Sequence, residues 1–110
     1  MSRDAALYLK DIETSCRKIL DYTKGLSQDE FIFDAKTYDA VLRNLGIIGE
    51  AAKKVPEGVR KKYPAIEWKK ICGMREIVIH EYFGISRTIL WDVIENKIPD
   101  LLKALAGVHD

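Results

Sequence analysis

Apolar residues recur along this chain at spacings of three and four, the repeat of a helix with one buried face. Ala5, Leu9, Ile12, Cys16, Ile19 and Thr23 form the first stripe and predict an amphipathic helix ending near Gly25. Ser27-Gln-Asp-Glu30 has the form of a capping box and opens a second helical stretch. Tyr38, Val41, Leu45, Ile48, Ala52 and Val55 carry one apolar face from there to Pro56. Pro56 and Pro64 bracket a short helical segment, Glu57 to Tyr63, since proline opens helices and does not continue them. A third long helix is expected from about Glu67 toward Gly84. The last helix, capped by Ser86, should turn Ile89, Val93 and Ile94 inward. Pro99 should kink or restart it before Leu101, Leu102 and Leu105. No stretch alternates with period two, and no Asn-Gly or Asp-Gly pair offers a hairpin turn. The expected fold is therefore all-α, an up-and-down helical bundle of four long helices plus a short helix.

At 110 residues the chain is read as a single domain, 1–110, with enough length for one core. Apolar residues make up 47% and charged residues 32%, a globular composition and not a disordered one. No apolar run is long enough for a membrane span, and Met-Ser-Arg-Asp at the start lacks a signal-peptide h-region, so a cytoplasmic protein is expected. Cys16 and Cys72 are too far apart for a redox or metal motif, and Cys16 falls on the first apolar stripe as a small buried hydrophobe. No Cys, His, Asp or Glu cluster has metal-ligand spacing, and no glycine-rich phosphate loop is present; neither a metal nor a cofactor is expected. Trp68 and Trp91 read as core anchors. A serine hydrolase is disfavoured because no serine sits in a Gly-x-Ser-x-Gly turn.

The net charge of +1 conceals an uneven distribution. Lys53 to Arg75 holds eight basic residues against Glu57 and Glu67, whereas the remainder holds ten basic and fifteen acidic residues. This positive segment suits nucleic-acid phosphates, with Lys61, Lys62, Lys69 and Lys70 as possible RNA contacts; a solvated loop without a partner is the alternative. Immediately after it comes Arg75-Glu-Ile-Val-Ile-His80-Glu-Tyr82. His80 is one of two histidines, the other being His109, so it is nearly the only side chain suited to proton transfer near pH 7. A guanidinium such as that of Arg75 suits a phosphate gaining charge.

The spacing R-x4-H-x-Y resembles the defining motif of the HEPN superfamily, in its HepT-like branch of toxin–antitoxin ribonucleases. Arg43-Asn-Leu-Gly-Ile-Ile-Gly-Glu-Ala-Ala-Lys53 resembles that branch's second-helix signature. Tyr63-Pro-Ala-Ile-Glu-Trp68 and Gly73-Met-Arg75 resemble its approach to the arginine, and Tyr82-Phe-Gly84 its exit, so the likeness covers about residues 40–91. One departure stands out. Where many such nucleases carry Asn or Asp after the arginine, this chain has Glu76, a carboxylate long enough to pair with Arg75. Glu50, in the Gly-Glu-Ala segment, is left open between lining a cleft and supporting packing.

The resemblance implies a metal-independent endoribonuclease toxin of a type VII toxin–antitoxin system. In that scheme Arg75 and His80 are catalytic: His80 moves the proton and Arg75 holds the scissile phosphate of an RNA substrate. Five helical residues turn by about 500°, which leaves Arg75 and His80 about 140° apart. The family's solution is a homodimer, set within a larger hetero-oligomer, whose motif helices meet at the two-fold axis, with Ile77, Val78, Ile79 and Phe83 serving core and interface. Tyr82 lies on nearly the same helical face as Arg75. The resemblance makes it the target of AMPylation by a cognate minimal nucleotidyltransferase antitoxin. Two rival readings are a non-catalytic HEPN module that binds nucleotide or partners a nucleotidyltransferase, and a purely structural helical dimer. The presence of both Arg75 and His80 weighs against the first.

Overall fold

Asp4 opens the first helix by accepting the Ala6 N–H at 3.0 Å on its Oδ1. In the computed structural model, which describes residues 4–76 and 87–106, this helix is α1, Ala5–Thr23. It ends before Gly25, whose φ of +79° is a left-handed turn that glycine adopts without a Cβ clash. Ser27 then forms the expected capping box: its Oγ accepts the Glu30 N–H at 3.2 Å and the Glu30 carboxylate accepts the Ser27 N–H at 2.9 Å. The helical stretch that follows is two helices. Asp34 leaves helical geometry after α2 (Gln28–Phe33) and caps α3 (Ala35–Lys53) by accepting the Thr37 N–H at 3.2 Å and the Thr37 hydroxyl at 2.9 Å.

The short helix α4 is Glu57–Arg60, three residues shorter than its expected span. Lys62 and Tyr63 donate to the carbonyls of Val59 and Arg60, tight i→i−3 turns that replace the helix ahead of Pro64. α5 is Trp68–Cys72 and stops at Gly73, where ψ falls to −3°; residues 74–76 are helical again. The expected unbroken helix from Glu67 is thus interrupted at Gly73, and its continuation lies outside the described residues, as does the Ser86 cap.

The last helical run consists of α6 (Arg87–Asp92), a π-turn (Val93–Lys97) and α7 (Ile98–Ala106). The Ile98 N–H reaches back five residues to the Val93 carbonyl, widening the turn just ahead of Pro99. Pro99 lacks an N–H and would collide with the preceding turn of a regular helix, so the π-turn is how this helix absorbs it. Leu90, Val93, Ile94, Ile98, Leu101 and Leu105 are buried, whereas Ile89 is 53% exposed. Ile89 was expected to face inward, but it sits one residue, about 100°, away from Leu90, which starts the inward line.

The described residues contain helices and no strand, in agreement with the all-α reading. α1 packs chiefly on α3 and also on α7, while α5 packs on α3. Ile12, Cys16 and Ile19 meet Val41, Leu45, Ile48 and Ala52 in one core. Each large side chain buried there contributes about 1.5–3 kcal/mol. Phe31 ties α2 into this core, its ring 5.3 Å from that of Tyr38 and 5.6 Å from that of Trp91. Cys16 is fully buried, and burial pushes its thiol up to about 12, so it behaves as the expected hydrophobe. No helix among the described residues is long and apolar enough to cross a membrane.

The two caps make the α2–α3 corner acid-sensitive. The Ser27 N–H and hydroxyl hold the Glu30 carboxyl below its ordinary 4.5, and the Thr37 N–H and hydroxyl hold Asp34 below 3.8. A carboxyl depressed in the folded state adds stability above its unfolded value and loses it as pH falls through the folded value. The melting midpoint should therefore fall as pH drops below about 4.5, and Ser27→Ala should flatten that dependence; thermal melts between pH 6 and pH 2.5 check both.

Candidate nuclease site around Arg75

Arg75 stands where α3 and the segment after α5 come into backbone contact. Gly49 makes this approach possible: a Cβ there would lie 2.9 Å from the Arg75 nitrogen and 3.3 Å from the Cys72 carbonyl oxygen. Met74, one residue earlier, is buried and anchors the segment, while Arg75 itself points outward. Glu50, the residue after Gly49, pairs with it: Arg75 Nη1 donates to Glu50 Oε1 at 2.9 Å, with the two side chains 52% and 48% exposed. Glu76, which the sequence left open as a partner of Arg75, is exposed and makes no ion pair with it. One helical residue turns the side chain by about 100°, which carries Glu76 away from the α3 side on which Arg75 lies.

The basic connection divides into two kinds of residue. Arg60 is turned inward, its Nε donating to the Val55 carbonyl and its Nη2 to the Ala52 carbonyl, both at 2.9 Å. It thereby satisfies the Ala52 carbonyl in the last turn of α3 and the Val55 carbonyl just beyond it, where the helix dipole also favours a cation. Its guanidinium lies 5.5 Å from the Trp68 ring centroid, and Trp68 Nε1–H donates back to the Arg60 carbonyl at 3.2 Å. Trp68 is thus the anchor expected of it, and Trp91 is likewise packed on Phe31. The Arg60–Trp68 clasp folds the connection onto the end of α3 and sets where α5 begins.

Lys61, Lys62, Lys69 and Lys70 are all exposed. Lys70 bonds Glu67 at 2.9 Å, an interaction that holds the Glu67 carboxyl below its ordinary value, whereas the other three make no ion pair with a described residue. Of the eight cations counted in this segment, Arg60 is committed to structure and Arg75 and Lys70 have carboxylate partners. His80 and Tyr82 lie outside the described residues, so the structure positions the arginine end of the motif alone.

Sequence reasoning left Glu50 unassigned and did not single out Gly49 or Arg60. A glycine inside a helix costs about 1 kcal/mol against alanine, so Gly49 called for a packing reason, and that was the available signal. Nothing local to Glu50 or Arg60 distinguishes a partner that is distant in sequence.

The chain belongs to the family described as Ribonuclease HepT-like, whose profile matches residues 12–108. It is 42% identical over 106 residues to the Methanocaldococcus jannaschii protein named "Putative RNase MJ0127", covering 96% of this chain and 88% of that protein. It is 42% identical over 101 residues to "Putative RNase TTE0752" of Caldanaerobacter subterraneus, covering 92% and 90% of the two chains. The protein named "Probable ribonuclease HepT" of Thermococcus cleftensis is 38% identical over 101 residues, covering 92% of each chain. No solved structure matches the chain.

Proposed function

We propose that this protein is a metal-independent endoribonuclease toxin of the type VII kind, acting as a homodimer and silenced by AMPylation of Tyr82. Membership of the ribonuclease HepT-like family, joined to an intact R-x4-H-x-Y motif, is the observation that carries the reading. The 2′-hydroxyl of RNA attacks the adjacent phosphorus, the bond to the 5′-oxygen breaks, and a 2′,3′-cyclic phosphate and a 5′-hydroxyl result. His80 takes or gives the proton at the 2′- or 5′-oxygen. Arg75 binds the phosphate and stabilises the added charge of the transition state. The exposed Lys61, Lys62 and Lys69 are supporting contacts for neighbouring phosphates, weakened by salt as such contacts are.

A nucleotidyltransferase antitoxin transfers AMP from ATP to the Tyr82 hydroxyl and releases pyrophosphate. The adenylate brings negative charge and bulk to the cleft where RNA phosphate binds, which blocks it by repulsion and by volume. The test has two arms. The protein should cut single-stranded RNA and leave DNA of the same sequence intact; cleavage of both, or of neither, would remove the 2′-hydroxyl mechanism. Incubation with the nucleotidyltransferase and ATP should add AMP-sized mass increments that are absent from Tyr82→Phe, and increments persisting in that variant would place the modification elsewhere.

A further inference from the structure

From the Arg75–Glu50 geometry we propose that Glu50 is a positioning residue, holding the Arg75 guanidinium by one edge so that its other edge faces phosphate. The inference rests on the reading of Arg75 as the phosphate-binding residue. The pair is unlike its neighbours. Lys10–Glu13, Arg17–Glu13 and Lys70–Glu67 each join residues three or four apart, whereas Arg75–Glu50 joins residues 25 apart on two packed segments. Its geometry is set by backbone, because Gly49 and Arg75 are in close approach directly beside it.

Only Nη1 of Arg75 is engaged among the described residues. The edge formed by Nε and Nη2, which matches two phosphate oxygens, makes no hydrogen bond with a described residue. A half-exposed pair of this kind contributes little to folding, so its consequence lies in orientation. An unheld arginine spreads over many rotamers, and a guanidinium fixed at one nitrogen has lost most of that freedom before substrate arrives. Glu50 also keeps a carboxylate on the far edge, where it faces the cation and not the phosphate.

Glu50→Ala should lower kcat on a fluorogenic single-stranded RNA oligonucleotide about tenfold, with KM changed less than about twofold. Glu50→Gln keeps an oxygen acceptor of the same reach and should recover most of the rate. The melting midpoint of Glu50→Ala should move by no more than about 4 °C. Nitrogen-15 relaxation of Arg75 Nε gives a readout independent of activity: ordered in the parent protein, mobile in Glu50→Ala, intermediate in Glu50→Gln. An Arg75 side chain equally ordered in Glu50→Ala, or a kcat unchanged or raised in that variant, would overturn the positioning role. A parent protein inert toward RNA would instead overturn the ribonuclease reading, and the relaxation arm would still decide what Glu50 does.

Discussion

His80→Ala should abolish RNA cleavage and growth inhibition while leaving the fold and the dimer intact. General acid–base catalysis by one placed side chain accounts for about 10²–10⁴ in rate, and the only other histidine is His109, at the chain's end. Imidazole is the side chain whose ordinary charge change falls near neutrality, so no side chain elsewhere stands ready to replace it. Arg75→Ala should cost about 10²–10³, the effect of removing one donor from a developing oxyanion. Arg75→Lys should recover little of this, because an ammonium lacks the fork that meets two phosphate oxygens and cannot be held at one nitrogen while binding with two others. The double variant should be about as slow as the slower single variant, since the two groups act on one transition state. Gel assays on single-stranded RNA, circular dichroism and sedimentation give the three readouts. Toxicity that survives in His80→Ala would sink the catalytic reading.

The parts of the fold that were legible in the sequence are those that local chemistry decides. The α1 stripe, the Ser27–Glu30 capping box and the helix disturbance at Pro99 all depend on residues within a turn or two of one another. The corrections have a local physical cause that periodicity does not carry. Asp34 prefers to cap α3 over continuing α2, the backbone leaves helical ψ at Gly73, and the extra residue of the π-turn re-phases the apolar line after Ile94. Ile89 satisfies the periodic pattern yet lies outside the core, because the pattern cannot tell which of two adjacent apolar residues leads the inward line.

The site divides along the same principle. Arg75 was legible as a candidate because its spacing to His80 and Tyr82 is a property of one segment. Its partner was not: Glu50 is 25 residues away, and which carboxylate an arginine meets depends on how two helices pack. Charge counting likewise treated Arg60 as part of a positive surface. The structure instead commits it to carbonyls in and just beyond the last turn of α3, a role that depends on the chain turning back at Pro56. The positive surface is consequently narrower than the sequence count, with Lys61, Lys62 and Lys69 exposed and without an ion pair among the described residues.

Gly49→Ala and Gly46→Ala should move stability in opposite directions although they lie one turn apart on α3. A Cβ at residue 49 would stand 2.9 Å from the Arg75 nitrogen, nearer than nonbonded carbon atoms approach backbone, and a backbone atom cannot yield by changing rotamer. α3 and residues 72–75 must separate, at an overpacking cost of about 1–3 kcal/mol, against a helix-propensity gain of about 1 kcal/mol. The net loss, up to about 2 kcal/mol, corresponds to a fall of as much as roughly 15 °C in melting midpoint for a domain of this size. At residue 46 a Cβ meets nothing within 4 Å among the described residues, so the propensity gain is not opposed and the midpoint should rise by a few degrees. Activity should separate the pair further. Pushing Arg75 away from α3 lengthens the Glu50 contact and displaces the guanidinium, so Gly49→Ala should lose cleavage even at temperatures where it is fully folded, while Gly46→Ala keeps it. Thermal melts and cleavage assays on the two variants decide it. A Gly49→Ala protein as stable and as active as Gly46→Ala would mean that the close approach of α3 to Arg75 does not constrain the site.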